Sequence, residues 1–449
     1  MLNRITLVLS LGAVCLAQDA ARMDLTVQPY VDQKQFMGSV LVARGDQVLF
    51  SKSYGSANLE WNIPNTPSTK FRLGSITKQF TSMAIMQLED RGKLKVEDPI
   101  AKHLTDYPAE VGNKVTIHHL LTHTSGIPSY TDDPTFLAKR SILPLTIKEM
   151  IESFKDKPLE FEPGSKWKYD NSGYFLLGAI IEKASGMPYE KYLQESIFGP
   201  LGMKDSGYDR PGPILKNRAS GYQPGPNGMT NAPYLDMGLP YAAGSLYSTV
   251  EDLFAWDQSL YTEKLVKKAS LDRMMKAQMT VDQNGSYGYG WMIATTKGHK
   301  QVAHGGGING FATFIARFPE ERAAFIYLRN VTSPLPQATN NDLTGTLFGE
   351  SIEPPKEKVA VPVDPKSIDA LPGKYELRPG VVMEVTREGN RVFAQLTGQG
   401  RNEIFPASET RYFLRVVEAE LEFLKNDQGV VDRLVLHQGG RDLPARKVN

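Results

Sequence analysis

From about Arg22 to Phe348 the chain alternates between two hydrophobic periods. Near its start, Ser39 to Ala43 and Gln47 to Lys52 flank Arg44-Gly45-Asp46, the pattern of a β-hairpin. From Ser75 onward, Phe80, Met83, Ala84 and Leu88 recur at helical spacing, which predicts a helix beginning near Ser75. A second helix is expected from about Ser172 to Ala184, stopping before Gly186, and a third after Ser248-Thr249-Val250-Glu251, which reads as a capping box. Ala312 to Phe318 and Arg322 to Leu328 read as strands around the turn Pro319-Glu320-Glu321. Both ends of this region are therefore β and its middle helical. That order predicts an antiparallel sheet built from the two ends, with helices packed on it.

The character changes near Glu353. Pro354-Pro355-Lys356-Glu357-Lys358, followed by Pro362 and Pro365, reads as a semi-rigid linker over 351–368. In the remainder, 369–449, Val381 to Val385, Val392 to Leu396, Leu421 to Leu424 and Val430 to Leu436 are the clearest strands. Glu388-Gly389-Asn390 and Asn426-Asp427-Gln428-Gly429 supply turns. An up-and-down meander closing into a small barrel is the expected architecture. The fold class is thus α+β, with a mixed domain over 22–350 followed by a small all-β domain.

Composition narrows the function. Apolar residues make up 41% and charged residues 22%, so the chain can bury a core. Lys and Arg number 51 against 50 acids, leaving no bulk basic field for nucleic acid or anionic lipid. The single cysteine, Cys15, excludes an internal disulfide, a cysteine zinc site and, with its leader position, a cysteine nucleophile. Met1 to Arg4 is a short basic start, Ile5 to Leu16 an apolar run too short to span a bilayer, and Cys15-Leu16-Ala17 a small-x-small cleavage pattern. A signal peptide over 1–17 is expected. Its removal takes away one arginine and no acid, leaving 50 basic against 50 acidic residues. The mature protein is expected to be secreted or periplasmic, with a lipoprotein anchored at Cys15 as the alternative. No later segment is long and apolar enough to span a membrane.

Three motifs carry chemistry. In Ser75-Ile76-Thr77-Lys78, residues three apart share a helix face, so Lys78 can reach the Ser75 hydroxyl, which needs a base to act as a nucleophile. A lysine serves as that base only where burial or nearby positive charge makes it partly neutral. Tyr169-Asp170-Asn171 offers a phenol that can relay a proton and an amide that can hold a lysine or a substrate carbonyl. His304-Gly305-Gly306-Gly307 lets a backbone approach a substrate and present an N–H to an oxyanion. Alone, each has a plain alternative: an N-cap serine with a solvated lysine, a loop tyrosine packing its ring, a glycine-rich turn.

In this order the three motifs resemble the class C β-lactamase and D-alanyl-D-alanine peptidase branch of the serine β-lactamase-like hydrolases. The segment Leu120-Leu121-Thr122-His123-Thr124-Ser125-Gly126-Ile127-Pro128 is similar to that family's own, as are Glu162-Pro163-Gly164 and Ala243-Gly244-Ser245-Leu246. The resemblance covers roughly Gln35 to Asn330. It implies a sheet flanked by helices, a helical lobe and an active site between them. It further implies Ser75 as acyl-accepting nucleophile, Lys78 and Tyr169 sharing the proton work, and Asn171 positioning Lys78 and the substrate amide. The N–H groups of Ser75 and Gly307 would form the oxyanion hole, with His304, Gly306 and Tyr130 beside the substrate. One departure is His304, where class C β-lactamases carry lysine. A histidine mostly neutral at pH 7 is a poor partner for a substrate carboxylate, which argues against efficient β-lactam hydrolysis and leaves acyl transfer intact. The C-terminal region, through Leu371-Pro372-Gly373-Lys374-Tyr375 and its strand spacing, resembles a lipocalin-like barrel appended to some members. There it helps form homo-oligomers and restricts access to the site; a passive stabilising barrel is the alternative.

The implied function is an exported serine hydrolase without a cofactor. It would cleave an amide or ester of a small molecule or peptide, as a peptidase of D-amino-acid or D-Ala-D-Ala type. A carboxylesterase, a weak β-lactamase and a non-catalytic penicillin-binding-type sensor stay open. A metal hydrolase is disfavoured because His119-x-x-x-His123 lacks the glutamate of H-E-x-x-H, and an α/β-hydrolase because no G-x-S-x-G occurs.

Overall fold

The hairpin at the start of the chain does not stand alone. Strand β1 (Gly38–Arg44) pairs on one side with β2 (Gln47–Tyr54) and on the other with a strand from nearly three hundred residues later, in the register Gly38↔Arg329 to Arg44↔Ala323. Six of its seven residues are buried, because the sheet is covered on both faces. The remaining strands are β3 (Met279–Asp282), β4 (Gly285–Tyr287), β5 (Met292–Thr296), β6 (His299–Ile308), β7 (Phe311–Phe318) and β8 (Ala323–Arg329). The sheet order is β3-β4-β5-β6-β7-β8-β1-β2, antiparallel throughout, as expected for a sheet built from the two ends of the region. The structure, a computed structural model, describes residues 20–225, 228–283, 285–332, 337–352, 359–398, 400–414, 419–438 and 441–448. The expected leader over 1–17, Cys15 included, and Pro354-Pro355 of the expected linker lie outside the described residues.

Three helices matter for the site. Helix α1 (Thr77–Asp90) continues a single 3-10 turn, Gly74–Ile76, and is buried from Thr77 through Leu88. It is a central helix, not an amphipathic surface one. Helix α2 (Asn171–Ser185) is capped by the Asp170 carboxylate, which accepts from Gly173 N–H, and ends at Gly186 in the left-handed conformation (φ 74°). Helix α3 (Val250–Ser259) is capped by Thr249, whose hydroxyl accepts from Asp252 N–H. The expected capping box does not form: only its N-cap half is present, one residue later, and Asp252 Oδ2 accepts from Asp205 N–H and Ser206 Oγ instead. Ser248 instead bonds Ser206, and Glu251 accepts from Ser51.

The described residues divide into two compact units. One is built on residues 36–332 and 343–350 and holds this sheet and these helices. The other contains residues 351–449 and a closed eight-stranded antiparallel barrel. Its strands are β9 (Gly373–Arg378), β10 (Val381–Glu388), β11 (Arg391–Leu396), β12 (Asn402–Pro406), β13 (Arg411–Leu414), β14 (Ala419–Lys425), β15 (Val431–Gln438) and β16 (Arg441–Val448). They pair in chain order and close through Lys374↔Val448 to Glu376↔Arg446. Alternation fills the interior: Ala419, Leu421 and Phe423 point inward from β14 against Tyr375, Leu434 and Leu436.

Candidate active site

Two glycine positions let strand β6 press against the turn that carries Ser75. Gly74 has φ 56°, and a Cβ there would lie 2.9 Å from Gly307 N and 3.0 Å from Gly307 O. A Cβ on Gly306 would overlap the carbonyl oxygen of Leu73 and Thr313 Oγ1. Thr313 Oγ1 donates to Leu73 O at 2.7 Å and ties the neighbouring strand β7 to the same turn. Within the run it is Gly306 that packing requires, and together with Gly74 it sets the Gly307 backbone next to Ser75.

One helical turn after Ser75, Lys78 is 0% exposed. Its Nζ lies 2.8 Å from Asn171 Oδ1, 2.9 Å from the carbonyl oxygen of Ala243 and 3.2 Å from Ser75 Oγ. Burial lowers its pKa to about 7, opposed by the negative charge of Asp170. The three partners decide what a neutral amine does here. Its two N–H bonds match the two carbonyl acceptors, which are the shorter contacts, and its lone pair is left facing the Ser75 hydroxyl. Asn171 is held in turn, its Nδ2 donating to Thr131 Oγ1 (3.0 Å) and its backbone N–H to Ser129 Oγ (3.1 Å).

Tyr169 lies with its ring face 4.7 Å from Lys78 Nζ. Burial raises the phenol well above its ordinary pKa, a hydrogen bond with Ser75 opposing, so it is a neutral O–H at pH 7. The loop around Tyr169 is gripped by one residue. His123 accepts Lys168 N–H on its carbonyl oxygen (3.0 Å) and Asp170 N–H on its Nδ1 (3.0 Å), so it holds the backbone on both sides of Tyr169. Its ring packs on that of Tyr169 with centroids 4.3 Å apart. His123 is buried and has φ 59°, a left-handed conformation uncommon for histidine. Its pKa is held well below the ordinary value by burial, then by Lys78 and His304, so it is neutral. His118 and His119 face elsewhere, toward Tyr289 and the backbone of Thr116.

His304, expected beside the substrate, is buried, and both its nitrogens are engaged. Nδ1 faces the carbonyl oxygen of Gly305 at 2.6 Å and Nε2 faces Tyr287 Oη at 2.9 Å. A carbonyl only accepts, so Nδ1 carries the proton and Tyr287 donates to Nε2. Burial and Lys78 lower the pKa of His304 to about 4.

A cavity of about 430 Å³ opens beside Ser75. Gly74, Ser75, Asn171, Ala243, Gly244 and Gly307 line it on the reactive side, and Tyr130, Thr131, Leu137, Leu235, Leu239 and Ile308 are among its other walls. Ser75, Asn171, Gly307 and Tyr130 are thus brought to one cavity, with Lys78 behind Ser75; Tyr169, His304 and Gly306 are not among the lining residues. The wall from Tyr130 includes a short helix, Pro134–Arg140. The carbonyl of Ala243, Thr131, Tyr287 and the carboxylate of Asp170 belong to the site, and the sequence assigned none of them a role in it. Ala243 was visible as part of a family-like segment, and Asp170, inside Tyr-x-Asn and just before a helix, carried the local signal of an N-cap.

With this geometry in hand, the chain can be set beside known proteins. The Beta-lactamase family model matches residues 23–347, and a domain of unknown function, DUF3471, matches residues 357–446. Penicillin-binding protein 4* of Bacillus subtilis (strain 168) is 32% identical over 444 residues, covering 92% of this chain and 96% of that protein. The octameric penicillin-binding protein homologue from Pyrococcus abyssi is 28% identical, with a TM-score of 0.66 over 94% of this chain and 98% of that one. The D-amino acid amidase from Ochrobactrum anthropi shares the fold, with a TM-score of 0.65 over 74% of this chain and 98% of that one at 23% identity. The chain belongs to the β-lactamase family of serine hydrolases.

Proposed function

We propose that this hydrolase cleaves an amide or ester through an acyl-enzyme on Ser75. The observation that carries the reading is the buried Lys78 amine, bonded to Asn171 Oδ1 and Ala243 O and facing Ser75 Oγ at 3.2 Å. Neutral Lys78 takes the Ser75 proton as Oγ bonds to the substrate carbonyl carbon. The oxyanion is received by the N–H groups of Ser75 and Gly307. As the tetrahedral intermediate collapses, the C–N or C–O bond breaks, and the leaving group takes a proton through the Tyr169 phenol. Water then attacks the acyl-enzyme with the same groups acting in reverse. The substrate class we assign is a peptide or amide bearing a D-configured residue, supported by the penicillin-binding and D-amino acid amidase names among the relatives. An esterase is the second reading, favoured by the apolar side chains of the cavity. A fluorescent alkyl-phosphonate probe followed by peptide mapping tests the reading. An adduct on the peptide holding Ser75 is expected; an adduct elsewhere, or an unlabelled protein, as a non-catalytic binding protein would give, overturns it.

His123 is assigned here as a positioning residue for Tyr169. Asparagine tolerates a positive φ and keeps an acceptor near the place of Nδ1. His123→Asn is therefore expected to retain kcat within about 5-fold, while His123→Leu lowers it roughly 100-fold per labelled active site, as a misplaced catalytic group does. Equal loss in both variants, after correction for the labelled fraction, would reduce His123 to a folding role.

Two further readings concern the whole protein. Export through the leader at 1–17 is supported by its basic, apolar and small-residue pattern and is checked by N-terminal sequencing of the exported form. Assembly into a homo-oligomer is supported by the octameric homologue, while its route through the barrel rests on the sequence resemblance alone. Light scattering of the full chain is expected to give a mass several times that of one chain; a monomer at micromolar concentration would overturn it.

A further inference from the structure

We infer that the cavity beside Ser75 selects an uncharged, largely apolar acyl group and rejects substrates carrying a free carboxylate or ammonium there; this rests on the Ser75 reading above. None of the described residues that line the cavity is a lysine, arginine, histidine, aspartate or glutamate. Leu137, Leu235, Leu239 and Ile308 supply apolar wall instead. The polar side chains present are partly committed: Asn171 to Lys78 and Thr131, and Asn309, through Nδ2, to the carbonyl oxygen of Pro233.

The residue best placed by sequence to meet a carboxylate is His304, and it offers neither a charge nor a free N–H. Its two nitrogens are taken by Gly305 O and Tyr287 Oη. The acids flanking the lining are also engaged, and the cations Lys139 and Arg140 are not among the described residues that line it. Asp132 pairs with Lys168 at 2.8 Å, and Asp236 accepts Gly238 N–H at 2.8 Å. A carboxylate or ammonium entering the cavity would lose water and gain no counter-charge from its walls, a penalty that an uncharged group of the same shape escapes. The bond cleaved is then flanked by neutral groups, as in a blocked peptide, an amide or an ester. The terminal carboxylate of a D-Ala-D-Ala peptide or the carboxylate of a β-lactam has no partner here.

Matched pairs of p-nitrophenyl esters test this in the full-length protein. The half ester of adipic acid is compared with its methyl ester, and the 4-(trimethylammonio)butyrate with its neutral isostere, 5,5-dimethylhexanoate. The neutral member of each pair is expected to have a kcat/KM higher by roughly 100-fold. Leu235→Lys, placing a cation in the wall, is expected to narrow the adipate gap by about 10-fold while Ser75 still labels. Charged and neutral members within about 3-fold of each other, with Ser75 acylated by both, overturn the inference alone. So does an unchanged adipate gap in Leu235→Lys protein that labels normally. Failure of every ester and of the phosphonate probe to label Ser75 overturns the parent reading, and this one with it.

Discussion

Ser75→Ala is expected to abolish turnover and phosphonate labelling while leaving the fold intact. The oxygen that would carry the acyl group is removed, and no other hydroxyl occupies its place between Lys78 and the Gly307 backbone among the described residues. A loss on the order of 10⁴-fold or more in kcat is the scale for removing a nucleophile that acts as one unit with its base. The cost to stability is small for a geometric reason. Ser75 is half-buried, and its Oγ bonds only groups of the site, Lys78 and Tyr169. Deleting these two bonds shifts stability by roughly 1–2 kcal/mol. Intact-mass spectrometry after probe treatment and a thermal melt check both halves. An adduct persisting in the alanine variant would move the nucleophile elsewhere. A collapsed melt would make the loss of activity uninformative, and Ser75→Gly would then carry the test.

Much of this arrangement was legible because it is local. The three-residue spacing of Ser75 and Lys78 follows from helix geometry, and the turn before α1 preserves it. The glycines after His304 announced close backbone approach, and overlap at Gly306 with Leu73 O is that approach. What stayed hidden is non-local or carried by backbone. The carbonyl of Ala243, 165 residues from Lys78, supplies one of its three partners and has no side-chain signature. His123 reads in sequence as part of the family-like segment Leu120 to Pro128, with no role assigned to its side chain beyond a disfavoured metal site. Its grip on both flanks of Tyr169 arises only once residues 123 and 168–170 meet. The engagement of His304 by Tyr287 joins β6 to β4, two strands apart in the sheet, and cannot be read from either segment. In the barrel, β10, β11, β14 and β15 were visible as apolar runs. Strand β16 was not, since all but Ala445 and Lys447 of Arg441–Val448 are exposed and Pro444 interrupts it. It is a strand because it closes the barrel against β9 and β15, not because of its composition.

The pH dependence of acylation is the second large effect, and its sign follows from Lys78. The working form is the neutral amine, and burial brings its pKa to about 7, far below that of a free lysine. The acylation rate should therefore rise with pH through about 7 and fall as pH drops below it. A phenolate base at Tyr169 predicts something else, because burial raises that phenol and its limb would lie in the alkaline range. The carboxylate of Asp170 sharpens the test. It is buried and bonded by Ser125 Oγ and Gly173 N–H; burial raises its own pKa to about 7, and where it is ionised its negative charge favours protonated Lys78. Asp170→Asn keeps an oxygen for both bonds and removes the charge, so the lysine loses its attraction for the proton. The acid limb should move to lower pH, by roughly 1 unit for a buried neighbour of this kind, with the plateau rate little changed. Lys78→Ala should remove the limb together with several orders of magnitude of rate, and adding Tyr169→Phe should cost little more, because the two groups move one proton between them. Burst amplitudes with a neutral p-nitrophenyl ester between pH 5 and 9 measure all of this. A limb that shifts upward in Asp170→Asn, or losses that multiply in the double variant, would mean that Lys78 and Tyr169 do not share the proton transfer proposed for them.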